Sequence, residues 1–197
     1  MAERSISNTR KITATALLAA VAYLLAFLEF PVPLTPAFAR MDISDLPALI
    51  GAFAFGPVTG VMVELVKNLL GLMTSSTGGV GELANFLMGA SYAFTAGKIY
   101  KHHKTKRMAL VGGVTGSIAM GIMAAITNYF ILLPMFEQFM PLEDIIAAFG
   151  EFIPFIHTKM DVVLFNAFPF NVMKGLVITA VTMLVYKKIS PVLKGSN

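Results

Sequence analysis

Long apolar runs alternate with short polar clusters along this chain, and the run lengths predict helices that cross a membrane. The first run, residues 12–30, holds about the 20 apolar positions needed to traverse a ~30 Å hydrocarbon core. A turn containing Pro31, Pro33 and Pro36 follows. Asp42 and Asp45 then precede an apolar run over 46–56, only about 15 Å long as a helix, with Ser44 as a candidate cap and Pro47 tolerated in the opening turn. Gly56-Pro57 is a turn signal, and a second short piece covers 58–73. The Ser/Thr/Gly loop from Thr74 to Gly81 leads into a run over 82–100. After the charged stretch KHHKTKR come a long run over 108–133, a connection over 134–168 and a last run over 170–187. The connection carries Glu137, Glu143, Asp144, Glu151 and Asp161, and its Leu142–Phe149 stretch predicts a short surface helix. The pattern therefore predicts an all-α integral membrane protein with six transmembrane helices in one domain, 1–197.

Charge fixes the expected orientation. Of 15 basic residues, Arg4, Arg10, Lys11, Lys98, Lys101, Lys104, Lys106, Arg107, Lys187, Lys188 and Lys194 fall at the termini or in the connection after the fourth run. An excess of Lys and Arg marks the cytoplasmic side, so both termini are expected there. Glu29, Asp42, Asp45 and the acidic connection then lie outside. Merging 46–56 with 58–73 into one span would put the basic loop and the C-terminus on opposite faces, which the charge pattern opposes.

Composition agrees with the membrane class. Charged residues are 13% of the chain, against about a quarter in soluble domains, and the mean hydropathy is +0.75. The absence of cysteine excludes disulfides, thiolate metal sites and a cysteine nucleophile. A signal peptide is the rival reading of the N-terminus, with Ala37-Phe38-Ala39 as its cleavage site. The first run exceeds the ~7–15 residue apolar core of such peptides, and three prolines separate it from the tripeptide.

Polar side chains inside apolar runs are expensive in lipid and are functional candidates. Glu64 and Lys67 lie three apart on one helix face, either neutralising each other or, with Asn68, touching a ligand. Glu82 and Asn85, also three apart, follow Gly78, Gly79 and Gly81, where backbone can approach a ligand closely. Asn128 near the outer end of the fifth run, and Asn171 with Lys174 at the outer start of the sixth, complete the set. Carboxamides offer donors and an acceptor together, suited to the edge of a heteroaromatic ring. Asn85, Asn128, Asn171 and Lys174 belong to three different runs, yet all fall in the outer thirds beside Phe38, Met41, Asp42 and the glycine loop. One small-molecule site at the outer face explains them.

Other chemistry finds no support. His102, His103 and His157 lie on opposite faces and form no metal cluster. No phosphate-cradling GxxxxGK[ST], HExxH or paired-carboxylate pattern occurs, so an enzyme is not expected and any ATP hydrolysis belongs to another chain. In the first run, Ala16-x-x-x-Ala20 and Ala22-x-x-x-Ala26 have the spacing that lets helix backbones approach closely. With Ala19 they form a candidate docking face for a membrane partner.

The alanine-rich first helix, MDISDLPALIGAFAFGPVTGVMVELVKNLLGL, TGGVGELANFLMGA, the basic loop and the Asn171-Val172-Met173-Lys174 pattern together resemble the S components of energy-coupling-factor (ECF) vitamin transporters. Within these they look most like the riboflavin-specific, RibU type, over essentially the whole chain. The resemblance implies a six-helix substrate-binding subunit in a prokaryotic plasma membrane, without intrinsic cofactor or nucleic-acid partner. It would capture riboflavin at the extracellular face for ATP-driven uptake. It further implies docking through the Ala-x-x-x-Ala surface onto a transmembrane coupling subunit that carries two cytoplasmic ATPases. By the same similarity Met41, Asp42, Glu82, Asn85, Asn128, Asn171 and Lys174 line the riboflavin site, Lys67 and Asn68 are further candidates, and Phe38 belongs to a flap over it. The alternatives are an S component for another vitamin, since a shared fold does not fix the ligand, and a stand-alone secondary transporter.

Overall fold

The computed structural model describes residues 8–31 and 40–194; Phe38 lies outside them. Within them the protein is all-helical apart from one two-residue antiparallel pairing, β1 (Phe30–Pro31) with β2 (Arg40–Met41), in which Phe30 stands opposite Met41. This pairing brings the chain back after α1 (Asn8–Ala26) and delivers it to α2 (Leu46–Phe55). Next come α3 (Pro57–Gly71), a 3-10 turn at Leu72–Thr74 and α4 (Val80–His102).

Gly56 divides α2 from α3. Its φ of +107° is strained for any residue with a Cβ, its N–H caps Ala52 O, and Pro57 begins α3 where its missing N–H has no cost. The two helices then pack closely against α4. A Cβ at Gly60 would fall 2.8 Å from the Ala52 Cβ, 2.9 Å from Ala48 O and 2.9 Å from the Ala93 Cβ, so small residues set this three-helix contact.

After α5 (Lys106–Thr127), whose N-terminus is capped by the Thr105 side chain accepting from Met108 N–H, the helix does not stop. It passes through a π turn at Asn128–Leu132 into α6 (Leu133–Phe136). The last long helix is built alike: α8 (Lys159–Val162), a π turn at Val163–Ala167, then α9 (Phe168–Lys194). A proline follows each π turn by two residues, Pro134 and Pro169. Proline lacks an N–H and crowds the carbonyl four residues earlier, here that of Phe130 or Phe165, and widening the turn accommodates both effects. The sequence reading ended the fifth run at 133 and began the sixth at 170. The helices instead run through to Phe136 and start at Lys159.

Among the described residues, three helices are long and apolar enough to cross a membrane: Asn8–Ala26, Lys106–Phe136 and Lys159–Tyr186. Their outward faces suit lipid, as in the exposed stripe Ile118, Ile122 and Ile126 on α5. Inside, Leu18, Ala19 and Ala22 of α1 pack with Ala48, Ala52, Val63 and Ala93. Leu49, Phe53, Tyr92, Met120 and Ile178 join α2, α4, α5 and α9. A separate cluster gathers Leu133, Ile145, Phe149, Ile156, Val162 and Val163. It holds α7 (Leu142–Gly150), the short surface helix expected over 142–149, by its buried Ile145 and Phe149, while Glu143, Asp144 and Ala147 stay exposed.

Candidate functional site

Beneath one end of the bundle lies a buried chain of charges. Lys67 on α3 places its Nζ 2.6 Å from Glu64 Oε2 and 2.7 Å from Asp45 Oδ1. Asp45 immediately precedes α2 and is fully buried; its second oxygen lies 2.9 Å from Lys174 Nζ on α9. Lys174 in turn reaches Asp42 Oδ2 at 3.2 Å. Three carboxylates and two ammoniums thus join the loop before α2 to α3 and α9. Charges buried this way are tolerated only when paired and hydrogen-bonded. Asp42 also accepts the backbone N–H of Ser44 at 2.7 Å. Burial works most strongly to raise its carboxyl, but the Lys174 and Lys67 ammoniums and the Ser44 hydrogen bond together outweigh that and hold it below the usual 3.8.

Above these charges opens a cavity of about 470 Å³, within the range typical of small-molecule sites. Asp42 and Lys174 form part of its floor, with Asn85 and Met88 from α4. Asn128 and Leu132 come from the first π turn, Asn166 and Ala167 from the second, and Phe170 and Asn171 from α9. The 134–168 segment supplies an apolar wall of Phe136, Phe139, Met140, Ile145, Phe149 and Val162.

Local hydrogen bonds set the polarity of the amides. Asn128 Nδ2 donates to Ala124 O at 2.8 Å and Asn171 Nδ2 to Ala167 O at 2.9 Å. A carbonyl only accepts, so in both residues the NH2 is drawn to the helix backbone and Oδ1 remains as an acceptor. Asn85 is held the opposite way, its Oδ1 accepting from Lys67 Nζ at 3.1 Å. The cavity edge therefore combines acceptors with donors from Asn85 and Lys174.

Of the residues singled out in the sequence, Asp42, Asn85, Asn128, Asn171 and Lys174 line this one cavity. Others do not. Glu82 turns toward its own loop, where Oε2 accepts from Ser75 Oγ at 2.7 Å and Thr77 Oγ1 at 3.2 Å; those nearby hydroxyls satisfy it without a ligand. Met41 is buried within the strand pairing. Lys67 and Asn68 sit one layer behind the cavity, Asn68 bonding Glu64 O at 2.8 Å. On α1, Ala19 and Ala22 are fully buried in the bundle and Ala26 is half-buried, whereas Ala16 and Ala20 stay exposed. The alanine face is thus divided between internal packing and free surface.

Sequence reasoning missed Asn166 and the whole apolar wall. Acidic residues drew attention in 134–168, but its apolar positions at 136, 145, 149 and 162 face the cavity. Pro134 and Pro169 were the available signal, because they mark π turns, which recur at functional sites.

Residues 10–186 match the family described as "ECF transporter, substrate-specific component". The chain is 36% identical over 190 residues to the riboflavin transporter RibU of Staphylococcus aureus (strain TCH60), covering 96% of this chain and 95% of that one. It is 30% identical to the riboflavin transporter FmnP of Bacillus subtilis (strain 168), with 93% and 94% covered. A solved structure described as "Structure and mechanism of the S component of a bacterial ECF transporter" superimposes with a TM-score of 0.76 at 34% identity, covering 95% of this chain and 99% of that one. With that family matched over nearly its whole length, and a cavity walled by its membrane helices, the chain belongs to the substrate-specific components of ECF transporters, substrate-binding membrane subunits rather than enzymes.

Proposed function

We propose that this S component binds riboflavin in the cavity over Lys174 and presents it for ATP-driven uptake. The observation that carries the reading is the fixed polarity of the cavity edge: acceptors on Asn128 and Asn171, donors on Asn85 and Lys174, opposite an apolar wall. Riboflavin has a flat tricyclic ring whose pyrimidine edge alternates acceptors with one N–H, and leaving such groups unpaired in a buried site costs about 1–3 kcal/mol each. The names of the relatives as riboflavin transporters support the same ligand. On this reading Asp42, Asn85, Asn128, Asn166, Asn171 and Lys174 contact the vitamin. Met41, Lys67 and Asn68 support them from behind, and Phe38 belongs to the flap.

The remaining parts of the reading follow from charge and family. Residues 1–197 act as one unit with six membrane helices, both termini cytoplasmic and the cavity outside. Ala16 and Ala20 face a transmembrane coupling subunit served by two ATPases. Absorption of the purified protein tests the ligand directly. Flavin bands, or quenching of flavin fluorescence on titration with riboflavin, are expected; a colourless protein that leaves added riboflavin unquenched would overturn the proposal.

A further inference from the structure

Lys67 does not line the cavity, yet its ammonium touches a residue that does. It is 3% exposed and meets four acceptors: Glu64 Oε2 at 2.6 Å, Asp45 Oδ1 at 2.7 Å, Ser44 Oγ at 3.1 Å and Asn85 Oδ1 at 3.1 Å. An ammonium has donors only, so the amide atom facing it is the carbonyl oxygen. The NH2 of Asn85 then points away from Lys67, and no protein group bonds it among the described residues. Asn128 and Asn171 show what an asparagine does on these helices without such a lysine: each NH2 folds back onto the carbonyl four residues earlier.

From this contrast we infer that Lys67 is a positioning residue for ligand selection: it turns the Asn85 amide so that a donor, not an acceptor, meets the bound molecule. The inference rests on the flavin reading above. A ring edge rich in acceptors needs donors opposite it, and two of the three cavity amides with fixed polarity present oxygen. Without Lys67, Asn85 is free to make the same backbone bond as the other two, which sets its oxygen against an acceptor of the ligand. The lysine thereby supplies a polarity that helix geometry alone does not.

Lys67 also neutralises Asp45 and Glu64, so the test has to separate positioning from stability. Riboflavin affinity of the full chain in nanodiscs is measured by flavin fluorescence for four proteins: the parent, a charge-balanced Lys67→Met/Glu64→Gln variant, Asn85→Ala, and the three changes combined. The Lys67→Met/Glu64→Gln pair is expected to weaken binding at least fivefold when Asn85 is present and less than twofold when it is Ala. An equal loss in both backgrounds would overturn the inference, because a merely structural lysine costs the same with or without the amide. Should the lysine variants fail to fold by circular dichroism, Asn85→Asp keeps an oxygen toward Lys67 but exchanges the donor for an acceptor. At least tenfold weaker binding is expected, and unchanged affinity would overturn the inference. A parent protein that does not bind riboflavin overturns the flavin reading and this inference with it, whereas a binding parent with an additive cycle overturns the role of Lys67 alone.

Discussion

Replacing Lys174 by Met tests the link between the charge chain and the cavity. Lys174 is 6% exposed, and its ammonium lies 3.2 Å from Asp42 Oδ2 and 2.9 Å from Asp45 Oδ2. Its removal strands two carboxylates. Breaking a buried pair from one side costs about 3–5 kcal/mol. The lower end applies here, because Asp45 keeps Lys67 at 2.7 Å and Asp42 keeps the Ser44 N–H. At ~2–4 °C per kcal/mol for a chain of this size, a loss of ~3 kcal/mol lowers the unfolding midpoint by roughly 6–12 °C. Far-ultraviolet circular dichroism in detergent without ligand reads this, since bound ligand would itself shift the midpoint. The chain has no tryptophan and no cysteine, which rules out indole emission and thiol dyes. Adding Asp42→Asn to Lys174→Met converts one stranded carboxylate to a neutral amide and should recover at least about 1 kcal/mol. Riboflavin binding should fall at least tenfold in the single variant, about 1.4 kcal/mol. A Lys174→Met protein that melts with its parent, or a further drop on adding Asp42→Asn, would refute the view that these groups are mutually dependent.

Three further outcomes are expected. Asn171→Leu removes a cavity acceptor while filling similar space, and should weaken riboflavin by about 1–3 kcal/mol in a fluorescence titration, with the midpoint little changed. A Cβ at Gly113 would collide with the Thr179 side chain, whose hydroxyl also bonds Gly175 O and Tyr92 OH. Gly113→Ala should therefore destabilise the α5–α9 contact by about 1–3 kcal/mol, seen as a lower midpoint by circular dichroism. Asp42, held below 3.8 in the folded protein, contributes stability that is present above 3.8 and lost as pH falls through the lower folded value. The midpoint gap between the parent and Asp42→Asn should hold constant between about pH 5 and 8 and shrink only in stronger acid.

The polar half of the site was legible because lipid makes polar residues conspicuous. Asn85, Asn128, Asn171 and Lys174 stand out in apolar runs, and their shared depth implied one cavity before any coordinates did. Glu82 stood out equally, but nothing in its spacing says that Ser75 and Thr77 come back to satisfy it. Asp45 read only as an acidic residue preceding the 46–56 run, because its pairing with Lys67 and Lys174 joins residues 22 and 129 positions away. The apolar wall was illegible for the opposite reason: in a chain that is 56% hydrophobic, another phenylalanine carries no contrast. Prolines 134 and 169 ordinarily argue against a continuous helix, whereas these helices absorb them by widening.

Those π turns also decouple the cavity from the scaffold that bears it. A π turn is an α-helix carrying one residue in surplus, and each residue advances an α-helix by about 100°. Because the widened turn takes up that surplus, taking one residue out of Asn128–Leu132 would return the segment to plain α-helix and leave Leu133 and Phe136 facing nearly as before, while α5, α4 and α9 kept their contacts. What such a deletion changes is the turn itself, where Asn128 and Leu132 line the cavity, and not the bundle around it. At both π turns the residues that line the cavity can therefore change while the helices on either side hold their register.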